Sequence, residues 1–118
     1  MRIGGKIQIK VDGQQYRAKG SFTYNLGKDK KEAVVGSDGV HGFKVTPQVA
    51  FIEGTITDSS NISLEKLLEL EDVTVILELA NGKIISLSGA SFTSEGNVTT
   101  EEGEIDARFE GDQAEEIR

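Results

Sequence analysis

The chain has no cysteine and no tryptophan, one proline, one histidine and one methionine. Without cysteine there is no disulfide framework, no thiol chemistry and no cysteine-ligated metal. A lone histidine, His41, cannot build a zinc site of nitrogen or sulfur ligands. No run approaches the roughly 18 apolar residues of a membrane-spanning helix. The start, Met1-Arg2-Ile3-Gly4-Gly5, carries no apolar segment after its charge, so no secretory leader is expected. Folding in a reducing cytoplasm is the expectation that fits these absences.

What is present points to strands and turns. Fourteen glycines accompany the single proline, and Val, Ile, Thr and Phe recur in short bursts. At 118 residues one domain, 1–118, is expected, large enough to bury a core without staples. The fold class read from this is mainly β, an antiparallel sandwich or barrel-like domain.

Along the chain, Ile7, Ile9 and Val11 alternate with Lys6, Gln8 and Lys10, which predicts a half-buried strand over Lys6–Val11. Asp12-Gly13 is a two-residue hairpin turn, with Gln14–Lys19 as the return. Gly20 marks a bend or bulge, and Ser21–Leu26 continues. Val49–Thr57 has apolar residues on both faces, so both are expected to be covered, one of them by a partner if not by the chain itself. Asp58-Ser59-Ser60-Asn61 is cap and turn chemistry. Ser63 then caps one short helix within Ile62–Leu70, with Leu64, Leu67 and Leu68 as its stripe. Val73–Leu79 and Lys83–Leu87 are predicted to pair through an Asn81-Gly82 hairpin. Ser91–Ser94 is a further candidate strand, and Ile105, Ala107 and Phe109 mark the last. The polar tail, 111–118, is expected to be loose.

One stretch fits none of these elements. Lys30–Phe43 is Gly-rich and charged at its start, with Ala33, Val34 and Val35 in the middle. A structureless connection beyond about 12–15 residues is unusual in a compact domain. This one is too apolar for a disordered linker. It is expected to leave the domain as a protruding loop or hairpin, 28–44, that packs on something else, with Gly36-Ser37-Asp38-Gly39 as its tip turn.

Charge is uneven along the chain. Residues 1–44 hold nine basic and four acidic residues, a net +5, and residues 45–118 hold four basic and sixteen acidic, a net −12. Opposite patches on one small domain suit head-to-tail self-association. Alternatively, the halves interleave in a β-fold and the asymmetry cancels in space.

Enzyme chemistry is poorly supplied. His41 lies in a Gly-flanked loop, and Ser37 beside Asp38 lacks a spaced base and orienting group. Glu101, Glu102, Glu104 and Asp106 could approach a hard cation, but the Ca²⁺-loop spacing is absent, and a solvated strand face accounts for them. Gly36–Gly39 lacks the Gly-Lys-Ser/Thr and following helix of a phosphate cradle. No catalytic residue, metal or cofactor is expected. An acidic chain whose aromatics are not interleaved with Lys and Arg is a poor nucleic-acid binder. Such a surface repels DNA, which suits one that DNA slides past.

Val11-Asp12-Gly13-Gln14-Gln15-Tyr16, Gly20–Gly27, Lys31–Gly42 and Pro47–Gly54 resemble the tail tube protein of Mu-like contractile-tailed bacteriophages. The similarity continues through Leu77–Lys83 and Glu101-Glu102-Gly103-Glu104 and covers nearly the whole chain. Lys31–Gly42 is its most specific part, because no general fold constraint dictates it. The resemblance implies a small β-sandwich or barrel-like domain with one flanking helix and no enzymatic activity. Six copies would form a ring, and rings would stack into a hollow tube inside a contractile sheath, with sheath, baseplate or tail-tip and tape-measure proteins as partners. Phage DNA would pass through the lumen without specific binding, and the chain would bind no membrane. The tube would be assembled in the bacterial host cytoplasm and reside in the virion tail. On this reading Lys28, Lys30, Lys31, Val34, Val35, Asp38, His41 and Phe43 are ring-stacking or subunit-interface residues. Glu101, Glu102, Glu104 and Asp106 are lumen or interface acids. The family is also similar to the tube proteins of type VI secretion and contractile bacteriocins. A tube of that kind, or a small ligand-binding β-sandwich module, is the alternative.

Overall fold

A computed structural model describes residues 7–60 and 62–117. The described residues fold into ten strands and one helix: β1 Gln8–Val11, β2 Gln14–Asn25, β3 Lys30–Gly36, β4 Gly39–Thr46, β5 Ala50–Thr57, α1 Leu64–Leu68, β6 Val73–Glu78, β7 Ile84–Phe92, β8 Val98–Thr99, β9 Glu104–Gly111 and β10 Gln113–Glu116. Six of them close a barrel in the order β7-β6-β1-β2-β5-β9, returning to β7, with every pairing antiparallel. β10 adds to the side of β7 and β8 to that of β9. The mainly β, barrel-like class read from the sequence is what forms.

Strict alternation builds the core. Ile9, Val11, Val75, Leu77, Ile105 and Phe109 all point inward and are at most 3% exposed. At Asp12 (φ 51) and Gly13 (φ 87) both central turn residues have positive φ, as a type I′ hairpin between β1 and β2 requires. Gly20 lies where the β2–β5 register shifts, between Lys19 and Thr23. Closure depends on β7. Its first part pairs with β6, and Ser91 and Phe92 pair with β9. Gly89 stands at that corner with φ +63, and a Cβ there would collide with the Asp112 carboxylate. A bend of this kind lets one strand serve both sides of a barrel.

Several expectations need correction. Lys6 and Asn61 lie outside the described residues. The short helix capped by Ser63 forms, occupying five residues within Ile62–Leu70. The Ser63 hydroxyl caps it by accepting from Lys66 N, and the amides of Glu69 and Leu70 then bond three residues back, which ends the turn. Only Leu67 is fully buried; Leu64 is half-buried and Leu68 is 40% exposed. The Asn81-Gly82 hairpin carries a three-residue loop, because Leu79 N donates to Lys83 O around it. Ser91 belongs to β7, not to a separate strand. The tail is not loose over Gln113–Glu116. That segment pairs with β7 and buries Ala114, a single inward residue that its polar composition hides.

Tyr16 is buried among these side chains, and burial pushes its hydroxyl pKa up. The folded state then holds the proton more tightly than the unfolded chain. This contribution to stability is complete below about pH 10 and is lost as pH rises through the folded value. Tyr16→Phe is expected to flatten the fall of melting temperature between about pH 9 and 11. An unchanged slope in that series would assign the alkaline loss to other groups.

Candidate assembly interface

Among the described residues, β3 and β4 pair only with each other, as a separate two-stranded sheet. The molecule is elongated, 61 × 36 × 27 Å, with a radius of gyration of 17.1 Å. About 13.5 Å would be usual for a compact chain of this length. The root of the ribbon is fixed by local chemistry. The Asn25 side chain accepts from Gly27 N at 2.8 Å, and Gln48 Nε2 donates to Lys28 O at 2.8 Å. Gly27 has φ +79, and a Cβ on it would lie 2.8 Å from the Ala50 Cβ. Only glycine allows the chain to leave the barrel that close to β5.

The register sorts the ribbon into two faces. Lys31 lies opposite Val45, Ala33 opposite Phe43, and Val35 opposite Val40. His41 is the extra residue of a bulge, since Val34 pairs with Gly42 and Val35 with Val40. One face therefore carries Ala33, Val35, Val40, Phe43 and Val45. Val35, Val40, Phe43 and Val45 are 71%, 62%, 66% and 53% exposed. Lys30, Glu32, Val34 and Lys44 occupy the other face, where Lys30 and Glu32 lie 3.9 Å apart. At the tip, the His41 Nε2–H donates to the Asp38 carboxylate at 2.6 Å, close to Gly36.

The expected interface residues are thus divided. Lys28 lies in the root, Asp38 in the tip turn and His41 at the bulge. Lys31, Val35 and Phe43 share the apolar face, while Lys30 and Val34 lie on the reverse. Val34 and Val35 cannot enter one surface together, because successive strand residues point to opposite sides. Val40 and Val45 complete this exposed apolar face and are not among the residues singled out from the sequence. Alternation forward from Phe43 reaches Val45, but the bulge at His41 breaks the period between Phe43 and Val40.

The acids do not gather in one place. Glu101 and Glu102 are exposed in the turn before β9. Glu104 and Asp106 lie on the outer face of β9, where Glu104 is 3.4 Å from Lys19 Nζ. Beside them, Arg108 Nε donates to Glu110 at 2.8 Å and Nη1 lies 3.1 Å from Glu53. Its guanidinium stacks over Phe51 at 4.1 Å. Burial pulls the Arg108 pKa down, and the two carboxylates more than offset that, leaving it raised. On the outer face of β5, Phe51 is therefore covered by this chain's own arginine. Lys10–Glu78 at 3.8 Å and Lys19–Glu104 join the basic half of the sequence to the acidic half, so part of the charge asymmetry cancels within one copy.

Comparison with known proteins adds the context for an apolar ribbon on a closed barrel. In fold, the chain is similar to the tube-terminating cap of the anti-feeding prophage, with a TM-score of 0.62 and 10% identity over 98% of this chain and 89% of that one. In sequence, it is 28% identical over 101 residues to the Mu-like prophage FluMu tail tube protein of Haemophilus influenzae, covering 86% of this chain and 84% of that protein. A family model described as phage tail tube protein matches residues 1–116. A structural virion role, as a subunit of an oligomeric tail tube and not as an enzyme, accounts for a fold with an uncovered apolar arm, and the chain belongs to the phage tail tube protein family.

Proposed function

We propose that six copies of this chain close into a ring, and that rings stack into the hollow inner tube of a contractile tail through which phage DNA passes. The apolar face of the β3–β4 ribbon is the observation that carries this reading. Monomeric proteins seldom leave such a contiguous patch uncovered, and a ribbon that meets a different surface on the next copy propagates into rings or filaments. The excess of carboxylates keeps passing DNA from sticking. Sheath, tail-tip and tape-measure proteins are the partners. A tube of a related contractile injection system is the second reading, favoured by the fold likeness to the anti-feeding prophage cap.

Negative-stain electron microscopy across a concentration series tests the proposal. Rings or hollow tubes of uniform bore are the expected result. Monomers at every concentration, with no growth on added tail-tip complexes, would overturn it.

A further inference from the structure

The outer surface of the barrel differs from strand to strand. On β1 and β2 it carries Gln8, Lys10, Gln15, Arg17 and Lys19. On β5 and β9 it carries Glu53, Asp106 and Glu110, with Phe51 under Arg108. The face of β6, β7 and β10 is unlike both. There Ile76 lies opposite Ser86 and Ile84 opposite Glu78, both isoleucines half-buried. Ile117 N donates to Ile84 O at 2.8 Å, and Ile117 is 59% exposed. Ser86 is the small residue between Ile76 and Glu115, and Ser88 lies one row further along β7, opposite Gln113. Acids stand on this face as well: Glu78 opposite Ile84 and Glu115 opposite Ser86.

We propose that the Ile76–Ile84–Ile117 patch receives the apolar face of the β3–β4 ribbon of a second copy. This rests on the tube reading and specifies which surfaces meet in it. Apolar groups match apolar groups, since Val35, Phe43 and Val45 are exposed on the ribbon. Charges match as well. Lys31 stands on the apolar face of the ribbon, and Glu115 lies opposite Ser86 at the centre of the patch rim. Lengths agree: the seven and eight residues of β3 and β4 span about 25 Å, and the nine of β7 about 30 Å. Ser86, at the centre of the receiving face, lets a flat ribbon approach. Donor and receiver are different surfaces, so each copy gives one contact and accepts another.

The absence of cysteine makes the test direct. Ala33→Cys on the ribbon is combined with Ser86→Cys on the patch, or with Gln15→Cys on the basic face as control. Both pairs are assembled, checked by electron microscopy and treated with a short bismaleimide. A ladder of cross-linked oligomers is expected with Ser86→Cys and only background dimer with Gln15→Cys. Tubes that give a ladder with Gln15→Cys, or with neither pair, would overturn this contact and leave the tube reading standing. An absence of tubes from the cysteine-free parent, even on tail-tip complexes, would remove the tube reading and this contact with it.

Discussion

Val35→Asp is expected to give a monomer that melts with the wild type and does not assemble. Val35 is 71% exposed in the single copy, so its replacement meets solvent and perturbs folding by about 0.5 kcal/mol or less. In an interface the same carboxylate is buried against apolar groups with no partner, at a cost of roughly 3–5 kcal/mol per contact. That is a loss of more than a hundredfold in each contact's association constant. Val34→Asp is the matched control, on the reverse face of the same strand, and should assemble far better. Equal loss from both variants would show that the ribbon enters the tube with both faces covered. Deleting Lys30–His41 should act like Val35→Asp, since Gln48 and Gly27 anchor the root below the deletion. Tubes of ordinary length from that deletion would exclude the ribbon from stacking.

The opposite dissociation is expected from Phe109→Ala. Phe109 is 1% exposed and meets Phe92 edge to face, with centroids 5.3 Å apart and planes at 78°. These two residues are also a register pair of the β7–β9 contact that closes the barrel. Truncating a buried phenylalanine costs about 3–5 kcal/mol, from lost burial and the cavity left behind. Against a usual total of about 5–15 kcal/mol this is a large fraction. For a chain of this length the melting temperature should fall by about 12–20 °C. At low temperature the variant should still assemble, because Phe109 reaches no outer surface. A fall of less than about 3 °C would mean that β7 and β9 contribute little to closure.

The two variants separate two kinds of apolar residue that look alike in a sequence. Val35 and Phe109 each sit in an alternating strand. Only the partner across the sheet, and what lies over that face, distinguishes a buried core residue from an exposed apolar one. The same ambiguity arises at Val49–Thr57, where apolar residues on both faces invite a partner. The structure instead supplies Arg108, folded over Phe51 from β9, a contact between residues 57 positions apart.

Local chemistry was legible from the sequence alone. Period-two alternation marked β1, β6 and β9; Asp12-Gly13 marked a turn; Ser63 marked a helix start; and Gly20 marked a register shift. Each of these depends on the preferences of a few neighbouring residues, which the order of amino acids states directly. Tertiary structure alone decided that β7 bends at Gly89 to close the barrel, that the polar tail adds Ala114 to the core, and that Val35 faces with Val40 while Val34 faces away. Each of those outcomes depends on which distant backbone supplies the hydrogen bonds and which side of the sheet is left without a neighbour. No short window of sequence carries that information.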